Sequence, residues 1–148
     1  MSKLKKQHGF TLVEMLIVVA IIAILIAVSI PMVGSALESS RVAVDQANER
    51  DAQSMAVTWL LTTNDDAIKK TGLSGDGKQY VLYYWINPTS RQGMIGTSKA
   101  AGDYAEFWGY GASTKEKRGF GGTPAIPKGK GIQIIMSLEG KITELNWI

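Results

Sequence analysis

Few side chains in this chain of 148 residues can do covalent or metal chemistry, and their placing restricts what remains. Cysteine is absent, so no disulfide can cross-link the fold and no thiolate can attack a substrate or hold a metal. The single histidine, His8, lies in a lysine-bearing stretch ahead of a long apolar run. Loss of that stretch leaves a chain with neither His nor Cys, which excludes most hydrolase triads and zinc sites. Carboxylates are what is left. Asp65, Asp66 and Asp76 sit among turn-forming residues, but Ser74-Gly75-Asp76-Gly77 lacks the repeated ligand spacing of a helix-loop-helix calcium site. Turn chemistry accounts for it. No Walker loop, dinucleotide fingerprint or nucleophile elbow occurs in the sequence. No enzymatic activity, cofactor or metal is therefore expected.

Glu14 is the carboxylate in unusual surroundings. Between Met15 and Leu37 there is no charged residue, and most positions are Ile, Val, Leu, Ala or Met. A membrane span needs roughly 20 such residues. Lys3, Lys5 and Lys6 precede the run and none follows it closely, so the positive-inside bias predicts one span with the N-terminus in the cytoplasm. A charge at the centre of the hydrocarbon costs about 3 kcal/mol on insertion scales, so a carboxylate near its edge marks a partner or a path. The same three lysines carry the whole net charge of +3: without them 13 Lys plus Arg balance 13 Asp plus Glu. From Phe10 onward the chain has no general electrostatic pull on phosphate, and no specific nucleic-acid partner is expected.

The string Gly9, Phe10, Thr11, Leu12, Val13 and Glu14, with lysines before it, the apolar run after it and Pro31 beyond, resembles the start of type IV pilins and the related pseudopilins. The resemblance covers about residues 3 to 40 and is silent on the rest. It implies that a prepilin peptidase, a membrane aspartyl enzyme, cuts between Gly9 and Phe10 on the cytoplasmic side and methylates the new amine of Phe10. Such an amine has a reference pKa of roughly 8 and is mostly cationic at neutral pH. Phe10 and Glu14 are four residues apart and share a helix face, so they can pair within one chain or between neighbours. The resemblance favours pairing between neighbours and assigns both residues to assembly. Pro31 and Gly34 predict a bend or loosened stretch, as the helix shows at the matching proline of the family.

The resemblance and the residues together predict a leader over 1–9, a hydrophobic transmembrane or filament-core helix over 10–34, and over 35–148 the helix continuing into an α+β head. From Ser35 to Leu61 there is no Gly or Pro, and Leu37, Val44, Met55 and Trp59 recur near multiples of the helical period. Asn48 and Asp51 interrupt that stripe, so its middle faces either a polar rim or a neighbouring subunit. Thr62 to Asp66 read as a helix end and a new cap before a short helical turn finishing at Gly72. Gln79 to Ile86 reads as a strand covered on both faces, stopped by Asn87-Pro88. Ile132 to Leu138 and Ile142 to Ile148, joined at Glu139-Gly140, form a hairpin. Packed on Met55, Trp59 and Leu60, these strands predict a small antiparallel sheet at the outer half of a long helix, a ladle. The Gly-rich stretch 109–131, with Lys115, Lys117, Arg118, Lys128 and Lys130, is expected to be a surface loop that contacts an adjacent subunit or an anionic surface.

The function these expectations favour is a structural pilin of a bacterial surface filament, used in adhesion or motility. It begins as a single-pass precursor, meets the peptidase and a membrane assembly platform, and then packs with copies of itself or other pilins. A pseudopilin of a type II secretion or DNA-uptake machine shares the start of the chain. Only Glu139 and Glu144 follow Pro127, which weakens that alternative, because major secretion pseudopilins carry acidic calcium ligands near the C-terminus. An anchored extracellular binding domain, or a carboxylate enzyme using the same export route, requires a deep pocket with paired carboxylates.

Overall fold

The computed structural model describes residues 10–87, 89–98 and 109–148. The leader with Gly9, and Pro88, lie outside the described residues. The chain forms two compact units, one ending at Leu37 and the other running from Glu38 to Ile148.

The first unit contains the start of helix α1 (Leu12–Thr62), which runs without interruption through Pro31. A proline in a helix interior supplies no N–H to the preceding turn. The expected loosening nevertheless does not break the helix, which stays helical through Pro31 and Gly34. On either side, Ser29 Oγ donates to the Leu25 carbonyl at 2.7 Å and Ser35 Oγ to that of Met32 at 2.9 Å. Every large apolar side chain from Leu12 to Val33 is exposed, from 48 % at Ile22 to 80 % at Leu12. A helix apolar all round has no inward face, so another medium must cover it.

The second unit is the α+β arrangement expected. α2 (Asp66–Gly72) is capped by Asp65, whose carboxylate accepts the Ala67 N–H at 2.8 Å. Four antiparallel strands follow: β1 (Gln79–Ile86), β2 (Gly93–Gly96), β3 (Ile132–Ser137) and β4 (Ile142–Trp147), in the order β2-β1-β3-β4. Strand β2 was not foreseen; it is four residues long with a glycine at each end and carries no period-two pattern. Strand β1 also departs from expectation, because Tyr80, Leu82 and Tyr84 are buried while the alternating residues are only half-buried. Register aligns the inward sets: Leu82 faces Ile134 and Ile134 faces Leu145, while Tyr84 faces Ile132 and Ile132 faces Trp147. Leu82, Ile134 and Leu145 are fully buried, which contributes roughly 1.5–3 kcal/mol each. Met55, Trp59 and Leu60 pack against this core, as the sequence predicts.

The helical stripe is right at its end and wrong in its middle. Leu37 and Val44 are half exposed, and the buried positions of α1 are Asp45, Ala52 and Ala56. Alanine lets the sheet approach closely, and Trp59 then closes the layer edge-on against Tyr80, ring centroids 5.5 Å apart.

The stretch 109–131 is folded back on itself and stitched to the sheet. Tyr110 Oη donates to the Tyr84 carbonyl and accepts the Ile132 N–H. Burial and the nearby Tyr84 and Asp45 push the Tyr110 hydroxyl far above its ordinary pKa, so it stays a neutral donor. Arg118 pairs with Ala125, and Phe120 exchanges both backbone hydrogen bonds with Leu145 of β4. Gly121 has φ of +75°, and a Cβ there would collide with the Thr143 carbonyl oxygen. Gly121→Ala is therefore expected to lower the stability of the unit by at least about 2 kcal/mol in thermal unfolding. Gly75→Ala, which meets open space at an ordinary φ, is expected to leave it nearly unchanged.

Candidate functional site

At the start of α1 the local geometry comes from four consecutive residues. Thr11 is the last residue before the helix, and its N–H and hydroxyl donate to Glu14 Oε2 at 2.8 and 2.9 Å. In return the Glu14 N–H donates to Thr11 Oγ1 at 3.2 Å. This is a capping box, in which two otherwise orphaned donors are satisfied reciprocally and a carboxylate sits at the positive end of the helix dipole. The spacing Thr11-x-x-Glu14 ahead of an apolar run was its signal in the sequence, and the sequence reading passed over it. Phe10 precedes the helix and is 80 % exposed. Cleavage would leave the box intact, since the Thr11 N–H belongs to the peptide bond with Phe10.

A second acidic row, which sequence reasoning missed, runs along α1 in the C-terminal unit. Glu38, Asp45 and Glu49 are spaced by seven and four residues, so they share one face. Each meets the stretch 109–131. Glu38 accepts the Thr114 N–H and, at 3.0 Å, that of Lys115, and its second oxygen accepts the Thr114 hydroxyl at 2.8 Å. Asp45, with no exposed surface, accepts the N–H groups of Ala112 at 2.9 Å and Ser113 at 2.7 Å. Glu49 takes a two-pronged contact from Arg118, at 2.9 and 2.7 Å, and the Trp147 indole N–H at 2.8 Å. Further along, Asp51 accepts the Tyr84 hydroxyl at 2.6 Å; burial and that carboxylate push the Tyr84 hydroxyl well above its ordinary pKa. Of the polar positions on this part of the helix, Glu38 and Asp45 thus accept backbone donors, whereas Glu49 and Asp51 accept side-chain donors, all from the same chain.

The five cations proposed from sequence do not act as one group. Arg118 is turned inward, with 12 % of its side chain exposed, and Glu49 raises its pKa further. Lys130 Nζ lies 3.4 Å from the Trp147 carbonyl, while Lys115, Lys117 and Lys128 are exposed. Ser74, Asp76 and Lys78 bond one another as a turn, as expected, and among the described residues no His, Cys, Asp and Glu group forms a metal-binding cluster.

An apolar helix of spanning length, wholly uncovered and started by a self-capped acidic turn, fits a membrane-anchored precursor. Residues 4–30 match the family model of the prokaryotic N-terminal methylation motif, the prepilin-type cleavage motif of type IV pilins and pseudopilins. The match at the N-terminus supports a type IV pilin- or pseudopilin-like precursor, and the motif implies processing by a prepilin peptidase and assembly with other pilins. Comparisons with curated proteins and with solved structures returned no match.

Glu38 makes the attachment of Thr114 and Lys115 to the helix sensitive to acid. The Thr114 N–H, then its hydroxyl, hold Glu38 at a pKa of about 2 instead of 4.5. A depressed carboxylate stabilises the fold fully above its unfolded value, and that stabilisation is lost as the pH falls from about 4.5 through about 2. Hydrogen exchange at the Thr114 and Lys115 amides is expected to accelerate across that window, after correction for intrinsic rates, and Glu38→Gln is expected to flatten the change. Asp45→Ala strands two amide donors in a buried place and is expected to cost about 2–4 kcal/mol in denaturant unfolding.

Proposed function

We propose that the chain is a structural subunit of a type IV pilus-like surface filament. The observation that carries this is the joining of the motif at residues 4–30 to a helix whose apolar side chains are exposed on every face. In the precursor that helix is shielded by lipid, with the N-terminus inside. After cleavage between Gly9 and Phe10 and methylation of Phe10, the same surface is shielded by copies of the helix, and the C-terminal units form the outer shell. Lipid is as apolar as the helix, so transfer gains little from the hydrophobic effect alone, and packing and specific polar contacts decide the arrangement.

Glu14 supplies such a contact in this proposal. One of its oxygens is engaged by Thr11, and the other is available to the Phe10 amine of a neighbouring subunit. An unpaired carboxylate at that depth is penalised, so pairing sets the stagger of successive helices. The role is structural rather than enzymatic, which agrees with the engagement of Glu38, Asp45, Glu49 and Asp51 by donors of the chain itself. The proposed contacts of the exposed lysines are with an anionic surface.

Mass spectrometry of the N-terminus of sheared surface material tests this reading: a methylated Phe10 at the start of polymeric chains is expected. Chains recovered only as dispersed membrane protein with residues 1–9 attached would overturn it. The capping box separates two roles of Glu14. Gln also closes a capping box but carries no charge, so Glu14→Gln is expected to be cleaved normally and excluded from filaments by at least about tenfold. Normal incorporation of Glu14→Gln would reduce Glu14 to a helix cap.

A further inference from the structure

Beyond the pairing of Phe120 with Leu145, the Gly-rich segment 118–125 and the end of β4 border an open notch of about 420 Å³ within the C-terminal unit. That volume falls in the range of small-molecule sites, roughly 300–1,000 Å³. Backbone pairing creates the notch. Gly131 and Ile148 exchange both backbone hydrogen bonds, so the alternation of an antiparallel strand turns the Trp147 N–H and carbonyl to the opposite edge. The Gly-rich segment does not pair with them, because Arg118 exchanges its backbone hydrogen bonds with Ala125 instead. Gly122 forms one wall. A Cβ there would collide with Asn146 Oδ1 and stand 2.9 Å from Glu144 Oε2, so the missing side chain leaves room for both.

Two opposite charges line this notch without meeting. Lys130 and Glu144 are both half-buried, and neither forms an ion pair among the described residues. Lys130 Nζ reaches the Trp147 carbonyl at 3.4 Å, longer than the usual range of about 2.7–3.2 Å, which leaves its protons poorly used. Glu144 Oε2 accepts from Asn146 Nδ2 at 3.1 Å, and Oε1 has no partner among the described residues. Half-burial takes water from both groups without supplying a full set of partners, so a ligand with matching charges gains more here than at an open surface. The two charges cancel, which disfavours a simple anion or cation. A sugar ring is held best on an aromatic face, and Trp147 offers none: its ring is turned to Glu49 and the residue is 1 % exposed. Three residues of extended strand separate Glu144 from Trp147, about 10 Å, which is the length of an extended tripeptide. We propose that the notch binds a short zwitterionic peptide running parallel to β4. Its ammonium meets Glu144, its carboxylate meets Lys130, and one of its carbonyls accepts the Trp147 N–H. The inference goes beyond the filament reading and is independent of it, since residues 4–30 take no part.

The test uses the full chain in nonionic detergent micelles with triglycine as the probe, read from the Trp147 backbone amide and the Asn146 side-chain amide in NMR spectra. Both signals are expected to shift saturably. N-acetyltriglycine and triglycine amide each lack one charge, and each is expected to bind at least about fivefold more weakly. Glu144→Gln keeps an acceptor for Asn146; it is expected to abolish the preference for triglycine over the N-acetyl form and to keep the preference over the amide. Lys130→Met is expected to do the reverse. Because the three peptides are first compared on the unaltered chain, the outcome does not hang on how well the variants fold. Absence of a saturable shift, or equal binding of all three peptides, overturns the proposal. Maltose binding more tightly than triglycine assigns the notch to a saccharide, and acetate binding as tightly assigns it to a lone anion; either result also overturns it.

Discussion

One helix in this protein has to satisfy two solvents in succession. Up to Val33, α1 offers apolar side chains in every direction, and every large one among the described residues is exposed. Past Glu38 the same helix is one-sided and bonded to folded structure. Backbone hydrogen bonding is complete within a helix whatever surrounds it, which is why this element alone can pass from hydrocarbon to water without stranding a peptide group. What changes along it is only the side chains.

The face that docks α1 in the C-terminal unit changes its chemistry as it proceeds. Carboxylates at 38 and 45 meet backbone amides, Glu49 meets the Arg118 guanidinium and the Trp147 indole, alanines at 52 and 56 meet the sheet closely, and Trp59 fills the end with an aromatic ring. Acid-to-amide contacts are directional, so they fix the position of the stretch 109–131 where an apolar seam would let it slide. That stretch has no hydrophobic periodicity of its own and depends on those acceptors.

Much of this was legible in the residues. The apolar run, the cap at Asp65, strand β1, and the hairpin through Glu139-Gly140 follow patterns of period and turn chemistry that local sequence carries. The middle of α1 was not, because a search for apolar periodicity does not register a buried stripe made of Asp and Ala. Arg118 looked like a surface charge among four lysines; only a fold that brings Glu49 beside it, 69 residues away, makes it a structural residue. Strand β2 and the β-bulge between Ile135 and Met136 depend on their partners in the sheet and leave no local trace. At the candidate site, Phe10 and Glu14 are legible from their spacing, and the same spacing rule applied to Thr11-x-x-Glu14 carries the capping box.

The Gly-rich ribbon laid along β4 has a bearing on crowding. A bare strand border is a template on which an identical chain can add itself, and a population of like molecules held close together presents many such borders at once. Phe120 occupies backbone groups of Leu145, and the glycines beside it let the ribbon lie flush against the border. Among the described strands this leaves only β2 as the uncapped margin, four residues long. Sheet-to-sheet fusion, the route to amyloid-like tangles, is thereby suppressed in the crowded filament proposed for this chain.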